Sequence, residues 1–439
     1  MIHIQSEGRG NMIKTISGSM GLMILLASVA YGASGAGVSG TVRDPNGAPL
    51  MGAFVQVRSA AKRKILTSVL SDREGHYRME NLSPGEYEIS AIATGYKSDP
   101  VAVKVAGGGS ASHDIALQKG MMRWRDVSVS QVGKLLPEGK GKALFVGRCS
   151  ACHGLTWILD KREDEAFWRN TVNTMRSYGK GSPYGRNPLA VFTDQDATDI
   201  ISYLSTVFGK DSKLPRSPSE LPGYKEEPAR QFSDEAMKIV YVGYDLPGPN
   251  RRPFSAAPDK DGKMWMPYTG MNGIGRLDPD SGEIQEFLLP NQVTRAGVHS
   301  VQPAPDGTAW FTEQSLNKLG KLDPSTGTIT EYQGAYIDGK DKEKDGIFAG
   351  SKHTVLIDPK GSLWISGGPL SRFDPKTAKF TYFQDAPYAY GIAFDQEYNV
   401  WFAEIRLDKI GKVDAKTGKV TTWTTPSAQG AFPRRTTHS

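Results

Sequence analysis

The sequence predicts three folded parts in a row: a small β-sandwich, a small all-α domain and a β-propeller that is incomplete at its C-terminal end. Three observations lead to this prediction. Short alternating runs separated by turn signals fill residues 37–118. Helical periodicity takes over between Gly139 and Phe208, and a tryptophan-containing repeat fills most of the chain after residue 237. The length of 439 residues agrees with about three domains.

Residues 1–33 have the pattern of a secretory signal peptide. Lys14 precedes an apolar run from Met20 to Ala30, which is shorter than the ~20 residues that a transmembrane helix needs. Small residues follow at 30–33, where a signal peptidase could cleave. A short membrane anchor is the alternative interpretation. The pattern predicts a periplasmic mature chain without a transmembrane segment.

The charge composition argues against a nucleic-acid-binding protein. The chain has 53 basic and 47 acidic residues and a net charge of +6. Its basic clusters, such as Lys62-Arg63-Lys64 and Arg434-Arg435, are short and more typical of a solvated surface than of a nucleic-acid interface.

Residues 37–118 consist of alternating runs such as Phe54–Val57 between turn signals such as Asp44-Pro45-Asn46-Gly47. The stretches VSGTVRDPNGAPLMGAFVQV and SDREGHYRMENLSPGEYEISAIATGYK closely resemble the carboxypeptidase regulatory-like domain. The resemblance implies a transthyretin-like sandwich without catalysis, which serves as a spacer or a binding unit.

The most specific motif of the chain is Cys149-Ser150-Ala151-Cys152-His153. Two thiols at this spacing attach to the two vinyl groups of one haem, and the adjacent histidine binds the iron. Cys149 and Cys152 are the only cysteines in the sequence, whereas a structural zinc site needs about four Cys or His ligands. A zinc site and a redox dithiol remain the alternatives. The motif predicts haem c, which is attached after export and therefore agrees with the signal peptide.

Helical patterns surround this motif over residues 138–210, the predicted cytochrome domain. One predicted helix, Glu163–Arg176, has an apolar side, and another follows an N-cap signal at Thr193. The order of helix, C-x-x-C-H, helix, helix is the layout of a class I cytochrome c. The stretch FWRNTVNTMRSYG also resembles that family's W-x-x-x-V-x-x-M pattern.

Met175 is the predicted second axial ligand of the haem iron. It is the one methionine between His153 and Met237, and that interval contains no second histidine. A thioether ligand raises the haem potential relative to imidazole. The alternative is that Met175 only packs in the helical core, in which case the iron is five-coordinate or takes a ligand from elsewhere.

Residues 211–236 are rich in proline, serine and charge and are predicted to be a linker. Residues 237–439 carry a repeat of about four short strands, as in a propeller blade, and the start of a fifth unit. The repeated tryptophans are Trp265, Trp310, Trp364 and Trp401. The pattern, for example DGTAWFTEQSLNKLGKLDPSTGTI, resembles the virginiamycin B lyase (streptogramin lyase) family of propellers over most of residues 245–426.

Equivalent positions of the repeat predict two rings of side chains. The first ring lies eleven residues before each tryptophan and contains Phe254, His299, His353 and Tyr390. The second lies three residues after each tryptophan and contains Tyr268, Glu313, Gly367 and Glu404. Two histidines and two glutamates in one funnel could supply a general base and bind a divalent cation, but such positions also commonly line a wet channel without chemistry.

The lyase resemblance implies roles for these residues. The stretch VHSVQPAPDGTAWFTE matches the family's P-H-G-I and W-F-T-E motifs, with Val298 in place of proline. His299 and His353 are the implied catalytic residues, and Glu313 and Glu404 the implied ligands of Mg²⁺. KHTVLIDPKGSLWISG keeps the histidine but has Gly367 where a glutamate is expected, which puts the site in doubt.

The chain ends where a fifth blade would begin, since Arg434-Arg435-Thr436-Thr437-His438-Ser439 is similar to the start of the first blade at Arg251. Truncation is the favoured interpretation, and an irregular closing blade is the alternative.

The sequence therefore favours a periplasmic c-type cytochrome that passes electrons to a redox partner, with the propeller binding a substrate or that partner. A lyase acting on cyclic esters is the first alternative, with the cytochrome as an accessory. A scaffold that binds envelope components or a glycan is the second.

Overall fold

The chain is a multidomain, mostly β protein with an N-terminal β-sandwich and a C-terminal propeller-like region. A computed structural model describes residues 36–150, 155–179, 193–225, 232–292, 296–335, 351–404, 407–426 and 433–434. Helices lie mainly between the two β regions. Within these described ranges, no helix is long and apolar enough to cross a membrane. The predicted signal peptide lies outside them.

The sandwich consists of two packed sheets. Its strands are β1 (Gly37–Arg43), β2 (Phe54–Ser59), β3 (Ile65–Leu70), β4 (His76–Met79), β5 (Gly85–Ala93), β6 (Tyr96–Lys97), β7 (Val101–Val105), β8 (Ser110–Ser112), β9 (Ile115–Ala116) and β10 (Gln118–Lys119). One sheet has the order β4-β1-β8, and the other runs β10-β6-β5-β2-β3. Alternate residues of both sheets, such as Val42, Val55 and Ile89, are buried between them. Each such side chain stabilises the fold by about 1.5–3 kcal/mol.

The sandwich sheet continues into a strand from the start of the propeller region. Strand β11 (Tyr241–Tyr244) pairs antiparallel with β3, with Val242 opposite Thr67. The Tyr241 ring also meets the Phe54 ring edge to face, with 5.4 Å between centroids. The Arg58 guanidinium lies 2.7 Å from the Asp245 carboxylate. The sandwich is therefore joined to the propeller region through a shared sheet.

A helical region lies between these two parts of the chain. It contains α1 (Val129–Leu135), α2 (Lys142–Leu144), a π-helical turn (Phe145–Cys149), α3 (Thr156–Leu159), α4 (Glu165–Gly179) and α5 (Asp194–Val207). A short helix, α6 (Asp234–Met237), precedes β11. The two helices predicted after the cysteine motif correspond to α4 and α5. They pack in one apolar cluster that includes the fully buried Trp124, Phe145, Trp168 and Phe208.

Part of the predicted linker packs against this helical cluster. Trp124 Nε1 donates a hydrogen bond to the Pro215 carbonyl at 2.8 Å. The Arg162 guanidinium donates to the Leu214 carbonyl at 3.2 Å, and Leu214 is buried. In the first part of the predicted linker, backbone carbonyls thus accept hydrogen bonds from the buried Trp124 and the half-buried Arg162.

The propeller-like region contains four consecutive four-stranded antiparallel sheets. Blade 1 is β12 (Ala257–Pro258), β13 (Met264–Tyr268), β14 (Gly273–Leu277) and β15 (Ile284–Leu288). Blade 2 is β16 (Val298–Pro303), β17 (Ala309–Glu313), β18 (Lys318–Asp323) and β19 (Thr328–Gln333). Blade 3 is β20 (Lys352–Ile357), β21 (Leu363–Gly367), β22 (Leu370–Asp374) and β23 (Lys379–Phe383). Blade 4 is β24 (Ala389–Phe394), β25 (Val400–Glu404), β26 (Lys409–Val413) and β27 (Val420–Thr424).

The repeated tryptophans hold each blade to the next one. In blades 1, 3 and 4 the indole N–H donates to an aspartate six residues earlier, as in the 3.0 Å bond from Trp265 to Asp259. Trp265, Trp310 and Trp364 are buried against the following blade. In blade 4, Trp401 stacks on Trp423 of the same blade, and Trp423 is 47% exposed. The same repeat therefore builds both the inside of each blade and its contact with its neighbour.

Candidate functional site

The first ring of side chains forms a continuous stack. Ring centroids are 4.3 Å apart between Phe254 and His299, 3.8 Å between His299 and His353, and 4.0 Å between His353 and Tyr390. The Arg434 guanidinium lies 5.2 Å from the Tyr390 ring centroid and donates a 2.9 Å hydrogen bond to its hydroxyl. Consecutive blades therefore bring the four predicted ring residues together, and Arg434 extends the stack.

Strand irregularities place these side chains. The pairing register shifts between Val298 and Val301, and again between Lys352 and Val355 and between Ala389 and Ile392. Each interval contains a residue of the stack. Bulges of this kind redirect a side chain relative to the regular alternation of a strand, and they recur at the same level of three blades.

The hydrogen bonds of the two imidazoles define their orientation. His299 Nδ1 lies 3.2 Å from the His353 carbonyl, which can only accept a hydrogen bond, so this nitrogen carries the proton. In a neutral His299 ring, the basic lone pair is then on Nε2. His353 Nδ1 lies 2.9 Å from Thr354 Oγ1 and is buried with its ring.

The second ring is buried inside the blades. Tyr268, Glu313 and Glu404 are all fully buried. The fourth position is Gly367, whose backbone φ of 129° is rarely adopted by a residue that has a side chain. Burial and the nearby Glu331 carboxylate raise the pKa of Glu313 to about 7. Burial likewise raises the pKa of Glu404 to about 7, although the Tyr388 backbone N–H donates to its carboxylate. Both carboxyl groups therefore titrate near neutral pH and are uncharged at acid pH.

The structure does not gather the predicted metal ligands into one cluster. Within the ranges that the structure covers, no group of three or more His, Cys, Asp or Glu side chains could hold a metal ion. His299 and His353 are in contact, whereas Glu313 lies beside Lys318 and Glu331 of its own blade. Among the described residues neither oxygen of Glu313 has a hydrogen-bond partner. The Mg²⁺ site therefore remains a prediction.

Lys352 is a buried ionisable residue that the sequence analysis did not single out. Its side chain is 1% exposed, and burial lowers its pKa to about 7. Its Nζ lies 5.2 Å from the ring centroids of both Phe380 and Tyr382. Cation–π attraction of up to about 2 kcal/mol per ring favours the charged form. A desolvation cost of several kcal/mol for an unpaired ion outweighs it, so the amine is easily neutralised.

The predicted haem residues are only partly within the described structure. Cys149 ends the π-helical turn, is half-buried and packs against the helical cluster. Met175 is half-buried on α4. Cys152 and His153 lie outside the described residues, so haem attachment at the two cysteines and iron coordination by His153 and Met175 remain predictions.

Two protein families match parts of the chain. Residues 37–118 match the carboxypeptidase regulatory-like domain, and residues 236–365 match the virginiamycin B lyase family. No curated protein has significant sequence similarity to the chain.

Several solved structures show some similarity to the propeller region. Virginiamycin B lyase from Staphylococcus aureus is 25% identical, with 46% of this chain and 64% of that chain covered and a TM-score of 0.39. A streptogramin B lyase structure is 23% identical, with the same coverage and TM-score. Hydrazine synthase from Kuenenia stuttgartiensis is 12% identical, with 42% and 52% covered and a TM-score of 0.33. The chain thus spans about two thirds of the lyases' length. The N-terminal sandwich is similar to carboxypeptidase regulatory-like domains, and the propeller region is similar to virginiamycin B lyases.

Proposed function

We propose that this chain is a periplasmic c-type haem protein that transfers electrons, with the propeller as its binding module. The observation that carries the proposal is the motif Cys149-Ser150-Ala151-Cys152-His153. Its two thiols and adjacent imidazole are the groups that covalent haem attachment requires. The haem, when bound, supplies a one-electron redox centre.

The described part of the helical region suits such a group. Cys149 is at the surface of an apolar cluster that includes Phe145 and Trp168, and such surroundings would exclude water from one side of a haem. Met175 is half-buried on α4, whose buried Trp168 and Val172 belong to the same cluster. Cys149, Cys152 and His153 would hold the group, and Met175 would complete the iron coordination.

The propeller would contribute recognition through its stack of rings. Phe254 is 48% exposed at one end, and the exposed Arg434 lies at the other. A planar group of a substrate or redox partner could stack on the Phe254 ring. An anionic group could pair with the Arg434 guanidinium.

Expression in a periplasm equipped for haem c maturation tests the proposal. We expect a coloured protein whose absorption spectrum changes between oxidised and reduced states as low-spin haem c does. A weak far-red band in the oxidised protein, absent in Met175→Ala, would support the thioether ligand. Cys149→Ser should lose one covalent attachment. A colourless wild-type protein would refute the proposal.

A second candidate is a lyase activity of the propeller. The match of residues 236–365 to the virginiamycin B lyase family favours it, as does the contact between His299 and His353. In such an elimination a base removes a proton next to a carbonyl, the carbon–oxygen bond of the ester breaks, and the carboxylate leaves without water being added. The Nε2 lone pair of His299 is the base that its hydrogen bonding allows.

The lyase candidate has a separate test. Full-length protein should open a cyclic ester antibiotic without incorporating oxygen from labelled water, and His299→Ala should abolish the reaction. His76→Ala is the matched control, since His76 is exposed on the distant sandwich. If the wild type shows no turnover with added Mg²⁺, the lyase candidate fails while the haem proposal is untouched.

A further inference from the structure

Lys352 occupies a position of the repeat at which the two neighbouring blades have apolar side chains. It precedes the ring residue His353, as Val298 precedes His299 and Ala389 precedes Tyr390. It is almost fully buried, and Nζ has no hydrogen-bond partner within the structurally described chain. A buried polar group without a partner is costly, so the position calls for an explanation beyond packing.

The surroundings of Lys352 are apolar with one unused acceptor. The rings of Phe380 and Tyr382 flank the amine. Asn317 Oδ1 is also buried and, among residues with described coordinates, lacks a donor. A Cβ built on Gly334 would lie 2.8 Å from Lys352 Cε and 2.7 Å from that amide oxygen. The Lys352 side chain and the unused Asn317 acceptor therefore both lie next to Gly334.

This group of residues lies close to the surface and apart from the stacked rings. The next residue after Gly334, Ala335, is exposed, so the backbone reaches the surface one residue away from the contact between Gly334 and Lys352. Lys352 pairs with Gly367 on the adjacent strand, which contributes no side chain at that level. His353, by contrast, packs against His299 and Tyr390.

We propose that Lys352 is a nucleophilic amine that forms an imine with a small neutral hydroxyaldehyde. The Nζ lone pair attacks the carbonyl carbon, a C–N bond forms, and the carbonyl oxygen leaves as water with two protons from the amine. No oxidant or reductant is needed. A desolvated lysine is a familiar nucleophile of this kind, and the low pKa that burial gives Lys352 provides the free amine near neutrality.

The ligand class follows from the polar groups present. Asn317 Oδ1 can accept a hydrogen bond from a hydroxyl next to the carbonyl carbon. A carboxylate at that place would face the Asn317 amide oxygen, which repels it, and an apolar site makes burial of its charge costly. The site therefore favours glycolaldehyde over glyoxylate, which has a similar size and a negative charge.

Reductive trapping on the full-length protein tests this inference. Folded protein is treated with glycolaldehyde or glyoxylate and cyanoborohydride near pH 7, and modified lysines are mapped by mass spectrometry. We expect Lys352 to be labelled by glycolaldehyde several-fold faster than the exposed Lys379 and Lys416, and at least tenfold faster than by glyoxylate. Labelling of the exposed lysines with Lys352 left intact would overturn the proposal, as would equal labelling by both aldehydes.

Two variants distinguish a reactive site from a merely accessible lysine. Gly334→Ala places a methyl group 2.7 Å from Asn317 Oδ1, 2.8 Å from Lys352 Cε and 2.9 Å from the Asn317 carbonyl oxygen, so Lys352 labelling should fall severalfold. Circular dichroism and thermal melting that match the wild type check that the variant still folds. Gly109→Ala is the control, because a Cβ there meets no atom within 4 Å. Unchanged Lys352 labelling in Gly334→Ala would contradict the proposed aldehyde site beside Gly334.

Discussion

At the level of single side chains, burial controls the ionisable groups of blades 2, 3 and 4. It raises the pKa values of Glu313 and Glu404 and lowers that of Lys352, in each case to about 7. The two glutamates therefore contribute stability at acid pH that is lost as the pH rises through 7. The lysine contributes stability at alkaline pH that is lost as the pH falls towards 7. These three groups together favour the folded state least near neutrality.

Glu404→Gln isolates one of these effects. Because the folded pKa of about 7 exceeds the ordinary value of 4.5, the wild type should lose up to about 3 kcal/mol of unfolding free energy between pH 4.5 and pH 7.5. The neutral amide should not show this loss. Urea unfolding of both proteins at pH 5 and pH 8 measures it, with the exposed Glu397→Gln as control. Parallel pH profiles for wild type and Glu404→Gln would contradict the argument.

Residue positions were predictable from the sequence where the repeat register fixed them. The spacing from each tryptophan identified the four side chains that stack, because equivalent residues of successive blades must be neighbours. The same spacing could not show that Glu313 lies beside Glu331 within its blade, since that contact depends on the pairing of β17, β18 and β19. Lys352 was missed because its aromatic neighbours, Phe380 and Tyr382, come from β23, which lies almost 30 residues further along the chain and is not part of any short motif around the lysine.

Among the secondary-structure elements, α5 shows how local sequence specifies a helix. Thr193 Oγ1 accepts from the Asp196 N–H at 3.0 Å, and the Asp196 carboxylate accepts from the Thr193 N–H at 3.0 Å. Both groups would otherwise lack intrahelical partners. The aligned peptide dipoles also favour Asp194 and Asp196 in the first turn. This capping box was visible in the sequence because all its partners are within four residues.

Thr193→Ala should destabilise the helical region by about 0.5–2 kcal/mol, because one backbone donor loses its acceptor. Helical circular dichroism during urea unfolding measures the change. Thr198→Ala is the matched control on the exposed side of the same helix, where alanine improves helix propensity slightly. Equal effects of the two substitutions would show that the cap contributes nothing specific.

On the scale of the whole molecule, contacts distant in sequence join the sandwich to the propeller region. Pairing of β11 with β3 connects residues that are far apart in sequence, such as Tyr241 with Ser68 and Tyr244 with Ile65. Composition and periodicity could not predict that pairing. Each of the two strands also fits the pattern of a strand at the edge of a sheet, which has a neighbour on one side only. The N-terminal sandwich and the propeller-like region were readable from the sequence, whereas this connection required the fold.

Tyr241→Ala should weaken the connection. The aromatic pair with Phe54 is worth about 0.5–1.5 kcal/mol beyond the area that it buries. In calorimetry of the full chain, the variant should separate the sandwich and propeller transitions further than the wild type does. Tyr398→Ala, on an exposed turn of blade 4, is the control. An unchanged thermogram for Tyr241→Ala would mean that the two parts unfold independently of this contact.

The pairing of β3 with β11 also restricts where the helical region can travel. The helical region follows β10 and precedes β11, and both strands belong to one sheet, so the region cannot diffuse away even if its own surface contacts nothing else. A tethered module of this kind has an effective concentration near its neighbours that is set by tether length, typically millimolar for short tethers. An encounter between the cysteine motif and anything bound at the stacked rings would therefore be intramolecular, and its frequency would not depend on how dilute the protein is.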